Sequence, residues 1–484
     1  MGEQSALNTA TQLLQAIEVP LILLGVLFLV GSFDDLLIDF VYAINNFQPK
    51  KLSITEWAHW LSIPERKIAV LVPAWQEHSV LEAMVRTNLQ RIEYSNYRFF
   101  VGVYPNDPNT ISIAKDLERK YPDLLTVIIA DRPGPTSKAH CLNCILRVLS
   151  EATSLAKRAQ QGWVPDVIAI HDAEDVIHPL SFKAINAQTD FDFLQVPIFS
   201  LPVPAKSWVA GTYMDEFAEI HLKELPARAA LKMPIPSAGV GTFFLWSFFE
   251  QLGSRFGYWF DEKNLTEDYE VSLRIARLGG RQKFLLVKDP AGSVIATQEY
   301  FPNSFGRSVR QKTRWTTGIS LQTWKKWGWF GKSEFKWKDA GVLYALWRDR
   351  KALWSNPSSV AGWIVGIITL VLLSLAPSGT IQSFNHVRLL EILFVTNTAL
   401  FLLRVAQRAR FSSNLYGWPQ GILSSPRLIL STVINTSAAV RAMTQFAEKE
   451  ITQDSSQIKW DKTDHHFPDL LNNGSQQRKE QTLS

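Results

Sequence analysis

The chain has 484 residues, roughly three domain lengths, and its 46% hydrophobic and 20% charged residues supply a large core and exclude a disordered chain. Its 50 basic and 45 acidic residues leave a net charge of +5, too small to argue for a nucleic-acid partner, and its two cysteines exclude a disulfide scaffold. The 17 tryptophans are the unusual component, because Trp concentrates at membrane interfaces and in ligand clefts.

Residues 1–50 read as an N-terminal transmembrane segment. Val19 to Phe33 (VPLILLGVLFLVGSF) is uncharged, and Asp34, Asp35 and Asp39 then make the second half cytosol-proximal or packed against protein. Met1 to Glu18 holds no Lys or Arg and so lacks the basic start of a signal peptide; Lys50 and Lys51 come first. The positive-inside bias therefore puts the N-terminus outside and the following domain in the cytoplasm.

Residues 62–300 alternate strand-like and helix-like segments. Strands are expected at Lys67–Val72, Arg98–Tyr104, Leu125–Ala130 and Asp166–His171, with helices at Ser79–Arg91, Thr110–Lys120 and Thr136–Ala152. This rhythm predicts an α/β domain whose parallel sheet is covered on both faces, with ligands outside the carboxyl ends of the strands.

Three patterns follow in order. The fourth strand runs into His171-Asp172-Ala173-Glu174-Asp175, whose clustered carboxylates suit Mg²⁺ or Mn²⁺ held jointly with a diphosphate; acidic turns are also common without one. Thr266-Glu267-Asp268 opens a helix; Thr266 or Glu267 can simply cap it, or Asp268 can serve as a general base. Gln311-Lys312-Thr313-Arg314-Trp315 lies in a helix starting near Ser304, with Gln311 and Arg314 on one face and Arg307 and Arg310 nearby; alone it is an amphipathic basic helix.

Residues 301–355 hold seven of the tryptophans, Trp315, Trp324, Trp327, Trp329, Trp337, Trp347 and Trp354, interleaved with Lys325, Lys326, Lys332, Lys336 and Lys338, as in helices lying at lipid headgroups. Residues 356–405 read as a transmembrane hairpin: Ser358–Ala376 crosses, Val387–Leu403 returns, and Arg348, Arg350, Lys351, Arg404, Arg408 and Arg410 mark both ends as cytoplasmic. Within 411–448 the apolar run Leu428–Val440 has 13 residues, too short to span, and reads as an interfacial or re-entrant helix; 449–484 is a polar tail. Cys141 and Cys144 read as packing residues, and His465 and His466 as part of a solvated tail.

The order and gaps of these motifs, Asp268 lying 96 residues after Asp172 and Gln311 another 43 on, resemble the membrane-embedded family 2 glycosyltransferases of GT-A fold, the group of cellulose, chitin and hyaluronan synthases. The resemblance covers about residues 62–330. Gly134-Pro135-Thr136-Ser137-Lys138-Ala139, HDAEDVIHP, the QVP at Gln195–Pro197 and the tail WDKTDHHFP are similar to the NfrB-like bacterial inner-membrane glycosyltransferases. That resemblance implies a multi-pass enzyme of the bacterial inner membrane with a cytosolic catalytic domain. It also implies inverting, metal-dependent transfer from a nucleotide-diphosphate sugar to a growing glycan or lipid-linked acceptor in exopolysaccharide or envelope glycan synthesis, with an envelope or outer-membrane export partner. Single transfer to a polyprenyl-phosphate carrier and a non-catalytic membrane scaffold or receptor component are the alternatives. Residue by residue, it implies donor contacts from Pro73 to Glu77 (PAWQE for the usual TYNE), Asp107, Lys138 and Asp172, and metal ligation by Asp172 and Glu174, with Glu in place of a second Asp. It implies catalytic Asp268 and Glu267, with Asp268 as the base, and acceptor and diphosphate contacts from Gln311, Arg314 and Trp315. Related proteins often carry a cyclic-di-GMP-binding extension; the tail here has no RxxxR motif, and direct control by that nucleotide is not expected.

Overall fold

A computed structural model describes residues 2–159, 162–329, 340–375, 384–452 and 467–468. The catalytic-domain sheet consists of β1 (Ile68–Pro73), β2 (Tyr97–Val103), β3 (Leu125–Ile129), β4 (Val167–Ile170), β5 (Phe193–Gln195), β6 (Thr242–Leu245) and β7 (Gln282–Phe284). Their spatial order is β7-β5-β6-β4-β1-β2-β3. β1 pairs in parallel with β2 from Ile68 against Tyr97 to Pro73 against Gly102, and with β4 on its other side.

All six β1 residues are buried, as a central strand of a two-sided sheet requires. Ile68, Val70 and Val72 join the core on one face, and Ala69 and Leu71 the core on the other. The sheet is mixed rather than wholly parallel: β6 runs antiparallel to both β4 and β5. The helical excursion between β5 and β6 leaves from the carboxyl end of β5 and returns there, so no crossover reverses the chain. A second, three-stranded sheet places Thr297–Glu299 between Val176–Ile177 and Ile198–Ser200, bracing the acidic turn.

The helices that position the site are α1 (Gly2–Asn45), α2 (Lys138–Ala159), α3 (Trp208–Glu219), α4 (Glu267–Arg277), α5 (Phe305–Thr316), α6 (Ala340–Leu375), α7 (Val387–Tyr416) and α8 (Trp418–Thr452). Three of them, α1, α6 and α7, are long and apolar enough to cross a membrane, and they pack together. At one end Glu18 of α1 accepts hydrogen bonds from the backbone N–H groups of Asn385 (3.1 Å) and His386 (2.6 Å), ahead of α7. At the other, Asp34, Asp35 and Asp39 are packed against protein. Asp34 accepts from Tyr344 Oη and pairs with Arg348 and Lys351, and Asp39 pairs with Lys223.

Leu428–Val440 lies inside the single helix α8, whose buried Leu428, Ser431, Thr432, Ile434, Ala438, Ala439 and Ala442 form a stripe at three- and four-residue spacing. α8 packs along α7, α6, α5 and α3. The described end of the Trp/Lys stretch is bonded to protein. Trp327 Nε1 donates to Glu270 Oε1 at 3.0 Å, and the Arg350 guanidinium lies 5.4 Å and 5.1 Å from the rings of Trp324 and Trp329. Trp337, Lys332, Lys336 and Lys338, the loop Ser378–Ser383, and His465 and His466 lie outside the described residues; Phe467 packs on the first core.

Candidate active site

The site lies at the carboxyl ends of β1, β2 and β4. Beyond β1, Pro73 ends the strand and Glu77 is buried, its N–H donating to Thr110 Oγ1 at 3.1 Å. Asp107 Oδ2 accepts from the Gln76 N–H at 2.6 Å, and Oδ1 accepts from the Thr110 N–H at 3.3 Å, capping the helix Pro108–Lys120. Asp107 thus braces the loop that carries Glu77.

Lys138 opens α2, and its Nζ lies 2.6 Å from Asp172 Oδ1 and donates to the Gly239 carbonyl at 3.0 Å. Burial works against the Lys138 charge, but Asp172, Glu267 and Asp268 outweigh it and hold the ammonium above its ordinary range. The acidic turn behind it divides its labour. Asp175, wholly buried, shares a hydrogen bond between Oδ2 and His171 Nδ1 (2.8 Å) and accepts there from the Asp172 N–H (3.1 Å). Burial pushes His171 down to about 3, so its ring is neutral at ordinary pH. Asp172 and Glu174 remain as the pair that could hold a cation. Two carboxylates fit an ion that takes its other ligands from substrate phosphates and water, rather than an all-protein cage.

Glu267 and Asp268 form the first turn of α4, and Asp268 Oδ1 accepts its own helix's Tyr269 N–H at 2.8 Å. Burial and the neighbouring Asp268 push Glu267 up to about 8; burial also raises Asp268, against the pull of Lys138 and Arg314. Both carboxyls of the pair are thus held above their ordinary range, beside the Lys138 ammonium.

The third motif is fastened to the second. Gly318, just past α5, sits so close to Thr266 that a Cβ there would overlap its side chain. The Leu265 N–H donates to Gln322 Oε1 at 2.8 Å, and Asn264 Nδ2 to Thr323 Oγ1 at 2.9 Å. On α5, Arg314 is near enough to Glu267 and Asp268 to lower both, and Gln311 Oε1 is buried without a hydrogen-bond partner among the described residues. Trp315 turns the other way. Its ring centroid lies 6.2 Å from Tyr213 and 6.3 Å from Phe217 of α3, and it lines a cavity toward the spanning helices.

The structure thus gathers Lys138, Asp172, Glu267, Asp268 and Arg314 into one electrostatic cluster. Pro73, Glu77 and Asp107 stand on the neighbouring strand ends, and Trp315 is on the far side of α5.

Sequence reasoning missed the loop Ser237–Thr242. Gly239 has φ +77° and faces Asp268, where a Cβ would stand 2.6 Å from Oδ2. Gln195 holds this loop: its Nε2 donates to the carbonyls of Val240 (2.9 Å) and Gly241 (3.0 Å), and its Oε1 accepts from the Ala238 N–H (3.0 Å). The signal was Gly239-Val240-Gly241 ahead of a strand. The cysteines are buried and unbridged. Cys144 and His140 stand with Asp131 within 4.8 Å of one another, but Arg147 already donates to Asp131 (2.8 Å) and to Cys144 Sγ (3.1 Å).

A mixed α/β sheet with acidic residues at its strand ends, flanked by three helices long and apolar enough to cross a membrane, defines a GT-A fold of the nucleotide-sugar transferase type. Residues 64–318 match the family described as "Glycosyltransferase like family 2", and the chain belongs to it. Over 487 aligned residues it is 34% identical to "Bacteriophage adsorption protein B" of Escherichia coli K12 and to "Bacteriophage N4 adsorption protein B" of E. coli O157:H7, which bears out the NfrB-like resemblance. The match takes in 94% of this chain and 63% of either relative's length. Among solved structures, the mannosyltransferase PcManGT from Pyrobaculum calidifontis, determined with GDP-Man and Mn²⁺, is similar in fold. Its TM-score is 0.51 at 14% identity, over 89% of this chain and 99% of that one.

Proposed function

We propose that the protein transfers a sugar, with inversion, from a nucleotide-diphosphate donor to a growing glycan at the cytosolic face of the bacterial inner membrane. The observation that carries this reading is the carboxyl pair Glu267 and Asp268 beside Lys138 and Arg314, on a helix turn hydrogen-bonded to the stretch just past α5. The acceptor hydroxyl oxygen attacks the anomeric carbon as Asp268 takes its proton. The bond from that carbon to the diphosphate oxygen breaks, and Lys138 and Arg314 face the charge that develops on the leaving group. With Asp268 as the one base and no enzyme nucleophile, a single displacement inverts the centre. Asp172 and Glu174 are the residues to hold Mg²⁺ or Mn²⁺ with the donor phosphates; when bound, that ion supplies further charge neutralisation.

Pro73, Glu77 and Asp107 are assigned to the donor's nucleoside end, and Gln311, with its unpartnered oxygen, to the acceptor or diphosphate. Relatives named for bacteriophage adsorption support an envelope glycan as the product, delivered through an export partner. The test incubates membranes containing the protein with radiolabelled UDP- and GDP-sugars and Mg²⁺ or Mn²⁺. One donor should yield labelled polymer and free nucleotide, and excess EDTA should abolish both. Absence of turnover with every donor, or full activity in EDTA, rejects the corresponding assignment.

A further inference from the structure

Lys138 is fastened between two acceptors. Its Nζ lies 2.6 Å from Asp172 Oδ1 on one side and 3.0 Å from the Gly239 carbonyl oxygen on the other. Both acceptors are themselves held. The Gly239 loop is clamped by the wholly buried Gln195, which bonds to the backbone of Ala238, Val240 and Gly241. The Asp172 N–H donates to Asp175, which is also wholly buried. Glu267 and Asp268 bear on the same ammonium, so it stands among three carboxyl groups.

Asp172 is also one of the two residues assigned to a divalent ion, so one carboxylate has two claimants. A carboxylate shares its single negative charge over both oxygens. A divalent ion on Oδ2 would therefore still face the Lys138 ammonium across the same group, and the bond to Gly239 keeps the ammonium from backing away. A nucleoside diphosphate changes this balance. It brings its own anionic oxygens to the ion, and it offers the ammonium a second anion in place of a neutral carbonyl.

Resting on the assignment of Asp172 and Glu174 to a donor-bound ion, we infer that Lys138 is the counter-cation of the site when no donor is bound and keeps a divalent ion from settling there ahead of the nucleotide. Ion and donor diphosphate are accordingly taken up together, and the lysine passes from Asp172 to the diphosphate as they enter.

The test is a Mn²⁺ titration of the full chain in detergent, with free Mn²⁺ read by its electron paramagnetic resonance signal, so that no sugar transfer is needed. Wild type, Lys138→Gln and Lys138→Arg are compared without nucleotide. A neighbouring unit charge changes the proton affinity of a carboxylate by about ten- to a thousandfold, and a divalent ion feels that charge at least as strongly. Lys138→Gln should therefore bind Mn²⁺ at least about tenfold more tightly than wild type, whereas Lys138→Arg, which keeps the charge, should stay close to wild type. Adding Asp172→Asn to Lys138→Gln should cancel the gain. Equal or weaker binding by Lys138→Gln overturns the inference, and so does a gain that survives Asp172→Asn.

If Lys138→Gln does not fold, as read by its melting temperature, the wild type decides. Its Mn²⁺ affinity, corrected by a protein-free control, should rise when UDP or GDP is present at saturation; an affinity that neither nucleotide changes overturns the inference. Mn²⁺ binding by no form of the protein, with or without nucleotide, removes the metal assignment together with the inference. The expected order of Mn²⁺ affinities without sugar transfer from any donor removes the transferase reading alone.

Discussion

Glu267 and Asp268 are adjacent buried carboxyls, and Asp268 is the proposed base. Asp268→Asn removes proton-accepting capacity at nearly constant shape. It should lower kcat by about 10²–10⁴, the usual contribution of a general base, while donor KM stays within a few-fold, as read by nucleotide release over a donor titration. Glu267 also ties stability to pH. Its folded value of about 8 stands above an ordinary 4.5, so across that interval the native state binds more protons than the unfolded one. The stabilisation is complete below 4.5 and is lost as pH rises through about 8. Melting temperature in detergent should accordingly fall across this window, and Glu267→Gln should flatten the fall; an unchanged slope in the variant would mean that another group titrates. These two residues were visible in the sequence as a motif. Their upward shifts were not, because they depend on burial and on Lys138 and Arg314, which are distant in sequence.

Among the elements, the loop Ser237–Thr242 packs against Asp268, the proposed base. Gly239→Ala forces a side chain into left-handed backbone and puts its Cβ 2.6 Å from Asp268 Oδ2. Activity should drop by about 10²-fold, the scale of a misplacement near 1 Å, with the melting temperature changed little by comparison. Comparing kcat with thermal unfolding of the same preparation separates the two effects. The sequence announced the strands, because β1 is an uninterrupted buried apolar run, and it announced the residues beyond their carboxyl ends. The direction of β6 was hidden, since strand polarity depends on which end of the sheet the preceding helices leave from. Trp315 was hidden in another way: its spacing in the motif says that it lies beside Arg314, but the rings of Tyr213 and Phe217 decide which way it faces.

For the whole molecule, the hydropathy pattern disclosed three long apolar helices. The partners of Asp34, Asp35 and Asp39 on α6, α7 and the helices after α3 were not readable, because counter-charges hundreds of residues apart leave no local pattern. The positive-inside argument gives a topology that can be checked by labelling intact cells with an impermeant thiol reagent. A cysteine replacing the exposed His386 should react from outside, whereas one replacing the exposed Glu151 should react only after permeabilisation. The opposite pattern would invert the assignment. Position 181 is a poor reporter, because Ser181 is buried whichever side it occupies. The bonds from Leu265 to Gln322 and from Asn264 to Thr323 have a further consequence. The turn bearing the proposed base is anchored to a stretch that itself leans on α6 and α8, so its alignment is inherited from the long C-terminal helices. A fragment cut before Phe305 would keep the strand ends proposed to meet the nucleotide and lose the register of Asp268, the proposed base. Donor affinity and turnover would then come apart, making the lipid environment part of the catalytic apparatus.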